Sequence, residues 1–362
     1  MPLIIEGGRV PSRWAEKGTL RPMLSTDNAT LDNHVRRGDC LSLALINNMP
    51  DAALEDTELQ FFELLDIASG DVPVIIKLYS LTGIPRTDRG QRHLNSFYFD
   101  FADLWNSRFD GIIVTGTEPR QPSLQDEPYW ATLTQVFDWA KENTSSTVLS
   151  CLAAHASVLH SDGIQRHRLP DKQFGVFDSE KTCDHALLNG MSGALRFPHS
   201  RWNEVRESEL AAAGYLVLTK SQAAGVDLFV RREKKSLFVH FQGHPEYSSQ
   251  TLLKEFRRDI RRFLRGERET YPSMPHGYFD SSAARLLENY RRNALSDRRE
   301  EIIASFPESV ASGLENGWAA SAVAVYRNWL TYIASRKPET SKFSTLAGVG
   351  RETVQPANNE IT

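Results

Sequence analysis

The sequence predicts an α/β protein built on a mostly parallel sheet, with an antiparallel excursion and appended helices. Three observations carry that prediction. Between residues 40 and 163, apolar runs of strand length alternate with helical segments, the pattern of right-handed βαβ units. Residues 174–233 change to short β-type runs (FGVF, ALRFP, YLVLT, DLFVR) separated by turns, which suits antiparallel pairing. Two patterned helical segments follow, at about 281–297 and 318–335.

Each element has its own signal. CLSLALINNM (40–49) is an apolar run of strand length. ALEDTELQFFELLDIAS (53–69) sets Leu54, Leu59, Phe61, Phe62 and Leu65 near helical spacing and stops before Gly70. VPVIIKLYSL (72–81) is rich in β-branched residues and reads as a strand. GIPRTDRGQRHLNS, from Gly83, reads as a polar loop long enough to be suspected of function. FDGIIVTG (109–116) and STVLSC (146–151) are strands flanking a helix over 129–142, and LAAHASVLHSDG (152–163) is a helix ended by glycine. SLFVHF (236–241) returns to the buried strand type. TLLKEFRRDIRRFL (251–264) is an amphipathic helix with Leu252, Phe256, Ile260 and Phe263 on one side, and the last helix carries Trp318, Ala322, Val325, Trp329 and Tyr332 along one stripe. The domain expectation is an N-terminal arm over 1–38, one α/β domain over 39–336 that includes the C-terminal helices, and a flexible tail over 337–362.

Composition narrows the function classes. Of the 362 residues, 40% are hydrophobic and 24% charged, which excludes wholesale disorder. A net charge of −4 gives no global pull toward nucleic acid or an anionic membrane. The three cysteines, Cys40, Cys151 and Cys183, have no C-x-x-C spacing. Neither a disulfide framework nor a metal site is suggested, and a reducing cytoplasm is the simplest setting. No apolar run is long enough to span a membrane, and the N-terminus lacks the apolar stretch of a secretory signal.

Cys151 stands where a strand gives way to a helix. A thiol there faces the positive end of the helix dipole, which favours the thiolate. The free N–H groups of the first turn can hold an oxyanion beside it. The position resembles a nucleophile elbow without its full glycine signature. On position alone, this reading and that of a buried apolar cysteine stand level. Cys40 and Cys183 lack the setting. His244 and Glu246, in FQGHPEYS after a strand, lie two apart in chain kept extended by Pro245, so imidazole and carboxylate project the same way. By itself an H-x-E is an ordinary strand-end turn. Its convergence with Cys151 beyond the carboxyl ends of the strands raises the catalytic reading above that one. Arg257, Arg258, Arg261, Arg262 and Arg265 form a basic helical face. Such a face is usually solvated, and it is functional if one guanidinium turns inward to hold a carboxylate. No nucleic-acid motif accompanies it.

Several ordered segments together resemble a known family. TELQFFELL (57–65), RHLNSFYFDFADLWNSRFDGIIVTG (92–116), KQFGVF (172–177), PHSRWNEV (198–205) and GHPEYSSQTLLKEFRRD (243–259) look like the homoserine O-acyltransferases, the branch related to class I glutamine amidotransferases. The resemblance covers roughly residues 40–335. It implies a flavodoxin-like, class I glutamine amidotransferase-like sheet and a ping-pong transfer through an acyl-thioester, a step of methionine biosynthesis. It assigns Cys151 as the nucleophile, His244 as the general base and Glu246 as its acidic companion. Lys172, Ser200 and Arg258 take substrate-contacting positions. It implies succinyl-CoA or acetyl-CoA as co-substrate with no bound cofactor, small-molecule partners only, and a homodimer built on the appended helices. A thiolate exchanges with a thioester at little thermodynamic cost.

The chain departs from that family in three places. Leu152 and His155 stand where the family usually has Trp and Gln, and MPDAALED lacks the family's lysines. In the loop TEPRQPS, the position associated with donor choice, commonly Gly for succinyl and Glu for acetyl transfer, falls on Arg120. A cation there suits the free carboxylate of a succinyl group, and the expectation leans to succinyl; the alternative is a guanidinium turned to solvent. A glutaminase-type cysteine hydrolase on the same fold and a non-catalytic relative are the competing functions.

Overall fold

The computed structural model describes residues 3–6 and 40–337. Six strands make the parallel part of a ten-stranded sheet: β1 (Ile4–Ile5), β2 (Leu41–Ile46), β3 (Val74–Tyr79), β4 (Gly111–Val114), β5 (Ser146–Ser150) and β10 (Ser236–Phe241). The antiparallel excursion comprises β6 (His167–Lys181), β7 (Leu195–Glu204), β8 (Leu216–Ser221) and β9 (Gly225–Glu233). Across the sheet the order is β1-β3-β2-β4-β5-β10-β9-β8-β6-β7. Its segment β3-β2-β4-β5-β10 is the 2-1-3-4-5 order of flavodoxin-like sheets, in which ligands bind beyond the carboxyl ends of the strands.

The register shows why these runs are apolar throughout. Leu43 sits opposite Ile76 on one side and Gly111 on the other. Leu41, Leu43 and Leu45 point into a core shared with helices α1 (Asp51–Ser69) and α9 (Ala319–Ser335). Ala44 and Ile46, on the opposite face, meet α4 (Trp130–Asn143) and α5 (Leu152–Asp162). A strand covered on both faces has no solvated side on which polar residues could alternate. A third core joins Phe174 and Val176 of β6 to α7 (Thr251–Leu264), α8 (Ser281–Ser296) and Trp318. The mostly parallel sheet, its antiparallel excursion and the appended helices are thus all present, and no helix among the described residues is long and apolar enough to cross a membrane.

Two elements differ from expectation. The stretch read as a polar loop contains α2 (Asp88–Phe97), in which only Gly90 is buried. The Thr87 hydroxyl caps it by accepting the Gly90 amide at 3.3 Å. Asp51, at the head of α1, accepts the Thr87 amide at 2.7 Å and its hydroxyl at 2.6 Å. Capping and this anchor hold a helix that has too few apolar residues to show a periodicity. At the N-terminus, Leu3, Ile4 and Ile5 are buried, and β1 pairs with β3 as the edge strand, Ile4 opposite Ile75. This short strand lies within the stretch expected as an N-terminal arm over 1–38. The rest of that arm and the tail beyond 337 lie outside the described residues. Two shorter helices, α3 (Asp103–Asn106) and α6 (Glu207–Ala212), are the remaining α-helices among the described residues.

Candidate active site

Three strand ends, those of β5, β10 and β4, build the part of the site around Cys151. β5 stops at Ser150 and α5 starts at Leu152, so the chain reverses within Cys151, at φ 51° and ψ −107°. Holding an L-residue there costs about 1–3 kcal/mol. Only Cys151 and Lys234 among the described non-glycine residues take a positive φ. The Cys151 amide donates to the Phe241 carbonyl at 2.8 Å, tying the turn to the end of β10. The half-buried sulfur stands at the head of α5, whose first amides have no acceptor within the helix. Beyond β4, a Cβ at Gly116 would stand 3.0 Å from the Leu152 nitrogen. Glycine keeps the space against that amide clear, where an oxyanion can be held.

His244 is fixed through its backbone and through its ring. Its amide donates to the Pro198 carbonyl at 2.7 Å. The neighbouring Gly243 amide donates to Asp227 Oδ1 at 3.1 Å, and a Cβ at Gly243 would fall 2.6 Å from that oxygen. The imidazole Nδ1 meets Glu246 Oε1 at 2.8 Å, and the ring lies within electrostatic reach of the Cys151 side chain. With Nδ1 committed to the carboxylate, Nε2 is the nitrogen that faces sulfur. Ser150 Oγ donates to the same Glu246 oxygen at 3.3 Å. Burial alone would lower the His244 pKa. The neighbouring Cys151 and Glu246 side chains outweigh it and hold the group well above its ordinary value. The result is an imidazole held between a sulfur and a carboxylate, the arrangement that a thiol nucleophile, its base and an orienting acid would need.

The three residues assigned to substrate contact converge on a fourth, Glu255 of α7. Lys172 Nζ lies 3.2 Å from Glu255 Oε2 and 3.1 Å from Asp259 Oδ2. The Ser200 hydroxyl donates to Glu255 Oε2, and Arg258 stands 3.8 Å from it while donating to Asp259 Oδ1 at 2.9 Å. The Tyr247 hydroxyl donates to Glu255 Oε1 at 2.6 Å. Burial works against ionisation of Glu255, but Lys172 and Arg258 bring its pKa down to about 2. Three other arginines of the basic face are met by carboxylates: Arg257 pairs with Glu308, Arg262 with Glu118 and Arg265 with Glu300.

Arg120 is exposed on the loop after β4. Its amide and that of Gln121 donate to the buried Glu127 Oε1, at 2.5 and 2.7 Å, which fixes the loop's backbone and leaves the side chain at the surface. Sequence reasoning missed Tyr247 and Glu255, although both lie in segments quoted for the resemblance. It also missed Arg166 and Arg201, which bring positive charge within electrostatic reach of Cys151 from the β6–β7 side. Among the described residues, no group of three or more His, Cys, Asp and Glu side chains is arranged to hold a metal.

Known proteins match the chain over most of its length. The family model described as homoserine O-succinyltransferase matches residues 22–339. A homoserine O-succinyltransferase of Rhodopseudomonas palustris is 46% identical over 314 residues, covering 85% of this chain and 94% of that protein. One from Methylorubrum extorquens is 43% identical, covering 82% and 88%. Among solved structures, a glutamine amidotransferase from Thermotoga maritima matches with a TM-score of 0.41 at 11% identity, over 82% of this chain and 98% of that one. Another, from Methylobacillus flagellatus, gives 0.43 at 13%, over 81% and 95%. By the extent and identity of the sequence matches, the chain belongs to the homoserine O-succinyltransferase family.

Proposed function

We propose that this protein moves a succinyl group from succinyl-CoA to the γ-hydroxyl of L-homoserine through a thioester on Cys151, in the cytoplasm, as a step of methionine biosynthesis. The observation that carries the chemistry is His244, within electrostatic reach of Cys151 and bonded to Glu246 at 2.8 Å.

The Cys151 thiolate attacks the thioester carbonyl of the donor. The Leu152 amide, kept clear by Gly116, stabilises the oxyanion, and the C–S bond to CoA breaks. His244 gives its proton to the departing CoA thiolate. The neutral imidazole then takes the proton of the homoserine hydroxyl as that oxygen attacks the acyl-enzyme, and Cys151 leaves as thiolate. The products are O-succinylhomoserine and CoA, with His244 again protonated. Glu246 holds the ring and balances its charge throughout. An α-amino acid is a zwitterion, and the Glu255 cluster offers both signs: Arg258 for the carboxylate, with Lys172 and Ser200 completing the polar contacts, and Glu255 for the ammonium. Arg120 would meet the free carboxylate of the succinyl group.

The test is intact-protein mass spectrometry after mixing with succinyl-CoA and no acceptor. One succinyl mass on Cys151, discharged when homoserine is added, is the expected result. An unmodified Cys151 would sink the covalent route, and ammonia released from glutamine without CoA turnover would favour the hydrolase. Acetyl-CoA in a parallel reaction tests the donor.

A further inference from the structure

The geometry points to His155 as a positioning residue that, through Gln242, sets the helix bearing Cys151 against the loop bearing His244. It rests on the reading that Cys151 and His244 act as a pair, and not on the identity of the acyl donor.

His155 lies one turn into α5, its amide donating to the Cys151 carbonyl at 3.2 Å. Its side chain is not used by the transfer chemistry. It is 3% exposed, and Nε2 lies 2.9 Å from Oε1 of Gln242, which is wholly buried. Gln242 is itself immobilised. Its Nε2 donates to the Val226 carbonyl at 2.7 Å and the Val205 carbonyl at 3.4 Å, Oε1 accepts the Val205 amide at 3.0 Å, and its own amide donates to the Asp227 carbonyl at 2.8 Å. Because two carbonyls face the amide nitrogen, Oε1 is the atom turned to His155. An oxygen can only accept, so His155 carries its proton on Nε2 and donates. Burial pushes the His155 pKa down to about 3, which keeps the ring neutral at working pH and the bond unchanged.

The head of α5 is therefore held to the 241–242 stretch at two points. One is the backbone bond from Cys151 to Phe241, and the other is the side-chain bond from His155 to Gln242. A single bond leaves the helix free to pivot about it, whereas a second, one turn along, removes that freedom. His244 is two residues beyond Gln242, so the sulfur-to-imidazole alignment inherits this fixed orientation. Displacement of a reacting pair by an ångström is worth roughly 100-fold in rate.

Three substitutions separate positioning from packing. His155→Gln places its amide nitrogen where Nε2 now donates. His155→Asn places its nitrogen nearer the backbone and short of Gln242. His155→Leu fills the space without a donor, and Gln242 Oε1 keeps the Val205 amide in every case. The readouts are the pH dependence of Cys151 alkylation by iodoacetamide, the rate of acyl transfer and the melting temperature. The Leu and Asn variants are expected to slow alkylation at pH 7 and transfer by roughly 10- to 100-fold, with His155→Gln restoring both. Wild-type alkylation profiles in the Leu and Asn variants overturn the inference. So does a folded His155→Gln variant as slow as His155→Leu, and that comparison stands even if the Leu variant fails to fold. Alkylation needs no acyl donor, so a protein that alkylates rapidly yet takes no acyl group would refute the transferase and leave this inference intact.

Discussion

Tyr247 lies flat against His244, the ring centroids 4.3 Å apart and the planes 19° from parallel. Because the tyrosine hydroxyl also donates to Glu255, one side chain joins the half of the site around Cys151 and His244 to the charged cluster around Glu255. The two halves come from sequence-distant elements, β5 with α5 on one side and β6, β7 and α7 on the other. Tyr247 is the shared wall.

The backbone at Cys151 makes a prediction about stability. Glycine adopts φ 51° and ψ −107° without the Cβ clash, and alanine does not. Relief of about 1–3 kcal/mol of strain exceeds the roughly 0.4–1 kcal/mol by which glycine loosens the unfolded chain. Cys151→Gly is therefore expected to outlast Cys151→Ala in urea by about 1 kcal/mol, with both inactive. Equal or reversed midpoints would remove strain from the account of this turn.

Gly116 predicts a split between two reactions of the same sulfur. In Gly116→Ala the methyl group would lie 3.0 Å from the Leu152 nitrogen, crowding the oxyanion. Acylation by succinyl-CoA should slow by about 100-fold, whereas alkylation by iodoacetamide, which builds no oxyanion, should keep its rate. Loss of both rates together would mean that the methyl group disturbs Cys151 itself.

Glu255 predicts an acid-sensitive stability. Its pKa is about 2 in the folded chain against an ordinary 4.5. A depressed carboxylate contributes stability that is complete above the unfolded value and lost as pH falls from about 4.5 toward 2, here about 3 kcal/mol. Glu255→Gln should flatten that part of the stability–pH curve, measured by denaturant unfolding at pH 5 and pH 3. An unchanged slope would assign the acid sensitivity to other groups.

Arg120 predicts donor choice. If its guanidinium meets the succinyl carboxylate, Arg120→Ala lowers kcat/KM for succinyl-CoA by about fivefold and leaves acetyl-CoA unaffected, an exposed charge pair being worth about 1 kcal/mol. Parallel assays with the two donors decide it. An unaltered ratio would turn Arg120 out to solvent and take the donor's carboxylate elsewhere.

Much of this was legible in the sequence, for identifiable reasons. Doubly buried strands are continuous apolar runs, so β2 through β5 and β10 announce themselves. Cys151 is marked by its place between strand and helix. His244 and Glu246 do come together, but through a turn and not through extended chain: Pro245 and Glu246 are its central residues, and the Tyr247 amide donates to the His244 carbonyl at 3.2 Å. β1 is two residues long and too short for any pattern. α2 hides because its stability comes from Thr87 and Asp51, not from an apolar face. Glu255 and Tyr247 escape because a hub is defined by partners from several elements, of which Lys172 and Ser200 are more than fifty residues away. His155 stood out only as a departure from the family. Its hydrogen bond to Gln242, 87 residues on, is visible only in the fold.

The last helix has a consequence for how the protein comes into being. Trp318, at the head of α9, donates from its indole to the Tyr247 carbonyl at 2.8 Å, and Trp329 donates to Ser146 Oγ at the start of β5 at 2.9 Å. These bonds reach back 71 and 183 residues. A growing chain that has already emitted Cys151, His244 and Glu246 still lacks the indole that braces Tyr247, and closing such long loops is slow. Ribosomes make chain at about 5–20 residues per second, so the reactive thiol spends seconds without its finished surroundings. Synthesis order thus makes α9 a late latch, and assembly of the site waits until Trp318 and Trp329 have been made.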